Sequence, residues 1–155
     1  MPKISWLINQ LKSDYPQFSF QEDDHDHWSF ASQTIFYDPT QADSPALILH
    51  ELAHALLGHN TFVQDIELIT IERQAWQHAK SQLAPKYDIE ILEDTIETAL
   101  DSYRDWIHTK SACPNCDQTG LQIDKSTYQC LSCQNKWRVN LGTNVAVRRY
   151  LHIQT

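Results

Sequence analysis

Hydrophobic residues recur at helical spacing in four stretches of this 155-residue chain and alternate with polar ones in several shorter runs. Ile4, Leu7, Ile8 and Leu11 fall on one side of a helix predicted over residues 3–13. Phe18-Ser19-Phe20 opens an alternating strand, and Trp28 to Phe30 and Gln33 to Tyr37 continue it into a small antiparallel sheet. The stretch after Ser44-Pro45 is apolar nearly all round, so the helix it forms is expected to be buried. Ser44 is its expected hydroxyl N-cap, Pro45 its first helical residue and Gly58 its C-terminal stop. Asp65 to Leu83 reads as the next helix, with Leu68, Ala75, Ala79 and Leu83 forming its stripe and Pro85 ending it. Residues 88–108 predict a further amphipathic helix, with Ile89, Leu92, Ile96, Ala99, Leu100, Tyr103 and Ile107 on its apolar side. Thr109-Lys110-Ser111-Ala112 is then the expected joint to a C-terminal module.

Within the buried helix stands His50-Glu51-Leu52-Ala53-His54, an H-E-x-x-H string. Residues four apart share a helical face, so both imidazoles can reach one metal ion. Glu51 can serve as general base toward a zinc-bound water. Two histidines and a glutamate in an apolar helix are costly unless they are paired or bind metal. Zinc hydrolases normally add a third protein ligand. The metzincin spacing fails here, because Gly58 and His59 are each one residue out of register and Asn60 holds the ligand position. His59 is instead expected to interact with the last carbonyls of the helix. Glu72 falls within the apolar stripe of the next helix, where a carboxylate needs a reason, and is the candidate third ligand. Glu67 is its rival, although an acid at a helix N-terminus is favoured anyway. His78 is a further candidate.

These residues resemble the ImmA/IrrE family of metallopeptidases over about residues 1–84. The resemblance is carried by His50 through His59, by Glu72-Arg73-Gln74-Ala75-Trp76, and by the preceding Thr34-Ile35-Phe36-Tyr37. It implies a small zincin-like fold, zinc held by His50, His54 and Glu72, Glu51 as base, and a regulatory protein as substrate. The chain departs from the family in having Trp76 where an asparagine is often seen, and in its added C-terminal module. SprT-like proteins, which act on proteins at DNA, also couple H-E-x-x-H to a zinc ribbon, but their third ligand is a downstream histidine.

All four cysteines form one set, Cys113-Pro114-Asn115-Cys116 and Cys130-Leu131-Ser132-Cys133, with thirteen residues between the pairs. Two C-x-x-C knuckles can place four thiolates on one tetrahedral zinc. The short strands expected at Gly120 to Ile123, Thr127 to Gln129 and Lys136 to Val139 complete a zinc ribbon. The alternative is two disulfides, but the N-terminus lacks a long apolar run, so a reducing cytoplasm is expected. Four cysteines leave no open position for water, so this zinc is structural and the other catalytic. The expected fold class is therefore α+β. A zincin-like domain of antiparallel sheet plus active-site helices spans residues 1–108, a zinc ribbon 109–140, and a tail fitting either strand or helix 141–155.

Charge adds an asymmetry to the formal net of −8. Residues 1–108 hold six Lys/Arg against eighteen Asp/Glu, whereas 109–155 hold six against two. The basic tail raises the prospect of nucleic-acid contact, with Trp137 or Tyr128 as a stacking surface, although each is also a natural ribbon core residue. The run Glu22-Asp23-Asp24-His25-Asp26-His27 reads as a solvated turn. No run of about 18 apolar residues predicts a membrane span. The expected function is a zinc endopeptidase acting on a protein or peptide. The alternatives are a SprT-like peptidase on DNA-associated proteins and a non-catalytic adaptor that uses the ribbon. Tyr37, His59, His78 and Tyr103 are the candidates for stabilising the oxyanion. Residues 33–37 are the candidate strand for aligning an extended substrate.

Overall fold

The computed structural model describes residues 3–142 and 146–151. It is a mixed α+β structure with four α-helices, α1 (Ile4–Asp14), α2 (Ser44–Leu56), α3 (Asp65–His78) and α4 (Glu93–Ser111), among the described residues. Its strands form two small sheets. β1 (Ser19–Glu22), β2 (His27–Ser29) and β3 (Thr34–Tyr37) make the first, and β4 (Gly120–Gln122), β5 (Thr127–Cys130), β6 (Lys136–Val139) and β7 (Arg149–Leu151) the second. Among the described residues no helix is long and apolar enough to cross a membrane. The chain divides into two compact units, residues 1–61 with 70–96, and residues 62–69 with 97–155.

In the first unit, Leu7 and Leu11 of α1, Ile35 of β3, Ile48, Leu49 and Leu52 of α2, and Ala75 and Trp76 of α3 are buried. α2 is enclosed on nearly every side, as its all-round apolar sequence requires. It starts one residue earlier than expected. Asp43 is the N-cap and Leu47 N–H bonds its carbonyl at 3.1 Å, so Ser44 lies inside the helix with its hydroxyl buried and unpartnered. The following helix extends as foreseen to Leu83, but its last turn, Ala79–Leu83, widens to π geometry, and Ala84–Tyr87 tightens to 3₁₀. Pro85 sits early in that 3₁₀ turn, where a missing N–H costs least.

Two expectations about the first sheet are corrected. The sheet is mixed rather than antiparallel, because β1 pairs parallel to β3 while β2 pairs antiparallel to it. β3 is thus central in the order β1-β3-β2, with partners on both edges. Residues 33–37 therefore have no free backbone edge to offer a substrate. Strand addition requires an edge strand, and β2, which packs on α2, is one.

The start of the last helix is also corrected. Asp88 takes a left-handed conformation with φ +54°, and α4 begins only at Glu93. Ile89 and Ile91 bury their side chains from the intervening non-helical segment, so apolar residues there served a core without being helical. At its other end α4 runs through the expected joint to Ser111.

The second unit is organised by an ion pair that the sequence did not signal. Lys110 is 2% exposed, and its Nζ donates to Asp65 Oδ1 at 2.8 Å while lying 3.6 Å from the centre of the Trp106 ring. The Tyr128 hydroxyl donates to the other oxygen of Asp65. Gln122 adds a two-way clamp, accepting from Asp65 N–H at 2.8 Å and donating to Val63 O at 3.3 Å. Trp137, fully buried, donates its indole N–H to Lys110 O at 2.8 Å. Gly120 is required in β4, since a Cβ there would collide with the Trp137 ring and approach Gln129 O to 2.9 Å. The four-stranded order β4-β5-β6-β7 shows that part of the tail is a strand, with β7 antiparallel to β6. Residues 143–145 and 152–155 of that tail lie outside the described residues.

Removing one partner of a buried pair strands the other charge, at a cost of about 3–5 kcal/mol. Lys110→Ala should therefore destabilise the protein by about that amount in urea unfolding, whereas Lys110→Met combined with Asp65→Leu and Tyr128→Phe, which leaves neither the charge nor the Tyr128 hydroxyl stranded, should recover most of it. Equal losses in Lys110→Ala and in the variant with every partner replaced would show that the loss does not come from a stranded charge.

Candidate metal centre

α2 sets His50 and His54 one turn apart on the same side, and α3 presents Glu72 to them. All three residues are buried. His50 Nε2 lies 3.1 Å from His54 Nε2 and 2.9 Å from Glu72 Oε2, and His54 Nε2 lies 3.3 Å from Glu72 Oε1. Two nitrogen or oxygen ligands of a tetrahedral zinc, each at about 2.0–2.1 Å, stand roughly 3.3 Å apart. The observed separations are close to that spacing. Glu72 Oε2, despite its 2.9 Å approach to His50, has no aligned hydrogen bond. At Glu72, close approach without alignment fits an atom aimed at a common point, while His54 Nε2 and His50 Nε2 lie in hydrogen-bond geometry with each other. The donor set therefore fits a divalent transition metal.

The electrostatics agree. Burial opposes ionisation of Glu72, yet the two imidazoles beside it hold its carboxyl down to about 2. Burial likewise disfavours the charged form of His54, but the Glu72 carboxylate outweighs it and raises the histidine. In the absence of a metal, protons thus serve as the counter-charge to Glu72. Glu51 follows His50 directly, with its Oε1 3.9 Å from His50 Nε2 and its side chain 13% exposed. It is beside the donor set and retains some access to water.

The two imidazoles are held differently. The His50 ring stacks on Trp76 at a centroid distance of 4.1 Å, and its buried Nδ1 has no hydrogen-bond partner. Trp76, the departure from the resembled family, is thus the face against which His50 is fixed. His54 Nδ1 meets His59 Nδ1 at 2.9 Å. His59 reaches it through the helix end. Gly58 adopts φ +70°, Gly58 N–H bonds Ala55 O and His59 N–H bonds His54 O, which is a Schellman turn. His59 is expected to address the last carbonyls of the helix, and its backbone N–H does so at His54 O. Its ring contact with His54 went unforeseen, although glycine followed by histidine at those two positions was the available signal.

The other candidates fall elsewhere. Glu67 Oε2 accepts from Val63 N–H at 3.0 Å near the start of α3, so it serves the helix end. His78 is half-buried at the end of α3 and is not part of the donor group. Tyr37 is buried, and burial raises its hydroxyl pKa. Tyr103 belongs to the second compact unit. The acidic turn brings Asp23, His25 and His27 ligand atoms within 4.8 Å of one another. However, the His25 and His27 rings stack at 4.4 Å and 16°, so their in-plane lone pairs run alongside each other instead of converging.

In the second unit, Cys113, Cys116, Cys130 and Cys133 converge as a group that could hold a metal ion. Cys113 Sγ is 3.6 Å from Cys133 Sγ, and Cys116 Sγ is 3.4 Å from Cys130 Sγ. A disulfide would bring sulfurs to about 2.0 Å, whereas thiolates on zinc at about 2.3 Å stand roughly 3.8 Å apart. The cysteines are free, and the spacing favours a shared ion. Ser132 and Cys133 N–H groups both point at Cys130 Sγ at 3.3 Å, and Asn115 N–H points at Cys113 Sγ at 3.4 Å. The Asn135 backbone N–H holds the Cys133 thiol down to about 6. The Gln118 N–H works to lower Cys116, yet the neighbouring thiols push it up to about 12. Four sulfurs this close cannot all ionise without a cation among them.

Part of the basic character of the tail is internal, whereas Lys125, Lys136, Arg138 and Arg148 are exposed. The second compact unit contains seven Lys/Arg and seven Asp/Glu, so it carries no formal excess of positive charge. Lys110 is committed to Asp65, and Arg149 donates to Ala112 O at 2.6 Å. Tyr128 and Trp137 are buried, which removes both as stacking surfaces for a base.

Comparison with family models, curated proteins and solved structures gives no match.

Metal analysis should find two zinc ions per chain. The His50/His54/Glu72 ion requires neutral imidazoles, and in its absence Glu72 favours the proton on His54. Occupancy of that site should therefore fall, with proton uptake, as pH is lowered, and because Glu72 raises His54 the competition should begin above the ordinary imidazole range. A single zinc, lost only when the cysteines are replaced, would count against a second centre.

Proposed function

We propose that this chain is a zinc-dependent endopeptidase with a zincin-like catalytic body, similar to the ImmA/IrrE metallopeptidases. The observation that carries this reading is the buried convergence of His50, His54 and Glu72 with Glu51 at its margin. Zinc bound there would supply Lewis acidity, polarising a scissile carbonyl and acidifying a water molecule. His50 and His54 donate neutral nitrogens, and Glu72 supplies a compensating negative charge. Glu51 accepts the proton of the attacking water and delivers it to the leaving amine, so the base is regenerated as the peptide bond breaks. The β2 edge offers unpaired backbone groups to an extended peptide near α2. The substrate class is a protein or peptide, and a regulatory protein is the substrate the family resemblance suggests. Zinc at the four cysteines is structural, since its coordination is complete without water. A peptidase directed to DNA is less well supported, because the second unit has no net positive charge and buries its two candidate stacking rings.

Glu51→Gln preserves side-chain size and the donor set while removing the base. The variant should retain both zinc ions and lose at least about a hundredfold in hydrolysis of a mixed peptide library, the contribution typical of a positioned general base. Turnover equal to wild type would refute the mechanism.

A further inference from the structure

The reading of His50, His54 and Glu72 as a metal centre leaves open what determines which nitrogen of His54 faces the donor cluster with a lone pair. We propose that Gln74 and His59 form a hydrogen-bond relay that fixes the tautomer of His54, making His59 a positioning residue for the metal ligand; this rests on the metal-centre reading above. The carbonyl oxygen of a glutamine can only accept. Gln74 Oε1 lies 3.2 Å from His59 Nε2, so Nε2 carries the hydrogen and donates. In a neutral imidazole the other nitrogen is then the acceptor. His59 Nδ1 lies 2.9 Å from His54 Nδ1, so the hydrogen in that contact belongs to His54. With a proton kept on Nδ1, the neutral form of His54 that metal binding requires has its lone pair at Nε2, the atom 3.3 Å from Glu72 Oε1 and 3.1 Å from His50 Nε2; without metal that same atom carries the counter-proton to Glu72.

The backbone is arranged to hold the relay. The Schellman turn at Gly58 returns the chain so that His59 N–H bonds His54 O at 3.0 Å. Trp28 Nε1–H donates to His59 O at 3.0 Å, tying the same residue to β2. Gln74 comes from α3, two residues beyond Glu72, so one helix supplies both a metal-facing carboxylate and the terminus of the relay. His50 has no counterpart, because its Nδ1 is unpartnered and its ring is held by Trp76. The relay is therefore a device for one ligand, and removing it should weaken metal binding without removing a ligand.

Full-length protein tests this through zinc affinity and a spectroscopic signature. Partners behind a metal-bound histidine typically contribute 10–100-fold in affinity. Gln74→Met removes the acceptor at similar size, and zinc affinity at the histidine site should fall about tenfold. Gln74→Glu keeps an acceptor and should stay within about threefold of wild type, while His59→Leu should lose about 10–100-fold. The ribbon zinc should be unchanged throughout, which controls for unfolding. In zinc-loaded wild-type protein, nitrogen-15 NMR should show a coupling across the His54 Nδ1–His59 Nδ1 hydrogen bond, with the proton assigned to His54. A loaded wild type without that coupling, or Gln74→Met binding zinc as tightly as wild type, would overturn the relay alone. A wild-type chain that binds only the ribbon zinc would overturn the metal-centre reading together with it.

Discussion

A carboxylate that is 6% exposed in an apolar core must find positive charge or hydrogen-bond donors, or else give up its own charge. Glu72 meets this requirement against His50 and His54, and the surrounding elements are arranged to make the meeting possible. α2 is apolar nearly all round because it has to carry two imidazoles into the core. α3 contributes Glu72 from a stripe that otherwise packs Ala75 and Ala79. Each of the three polar groups would be costly alone. Together they form a cluster whose remaining demand is for a cation, and the 2.9–3.3 Å separations of its atoms are consistent with one.

Much of this was legible in the chain because the signals are local. The 3.6-residue period marks α2, its glycine stop marks the helix end, and a carboxylate in an apolar stripe separates Glu72 from Glu67, whose place at a helix start explains it without a ligand. The two C-x-x-C pairs announce the cysteine cluster in the same way. What failed to show was non-local. Alternation predicts that residues 34–37 form a strand but not that they pair on both edges, since the pairing partners lie in β1 and β2. The run from Asp88 to Leu92 has a helical apolar pattern, yet a left-handed Asp88 and buried Ile89 and Ile91 make it a packed connection instead. Lys110 looks like a solvated linker residue until Asp65, 45 positions earlier, is placed beside it.

That last case also reshapes the charge argument. A basic segment counted along the sequence overstates the basic surface, here by two of six residues, since Lys125, Lys136, Arg138 and Arg148 are exposed. Residues 109–155 have an excess of Lys/Arg, but the compact unit recruits residues 62–69 and 97–108, which bring acids with them. Lys110 and Arg149 then spend their donors inside the unit, one on a carboxylate and one on a backbone carbonyl. Charge asymmetry indicates a partner only after such internal commitments are subtracted.

The two donor clusters divide along chemical lines. Four thiols on short knuckles, approached by several backbone N–H groups, can close around an ion and complete its coordination. Such an ion contributes folding energy to a unit built from three- and four-residue strands. Two monodentate imidazoles and one monodentate carboxylate leave a tetrahedron incomplete, and the next side chain at hand, Glu51, stands 3.9 Å from His50 Nε2 with some access to water. The asymmetric support of the imidazoles follows the same logic. A stacked His50 is restrained in plane by Trp76, whereas His54 is restrained in both plane and protonation by its neighbour at the helix end. A ligand pair held in this way keeps its lone pairs directed inward through local motion. An open metal position needs that rigidity more than a closed one, because fewer ligands share the work of holding the ion.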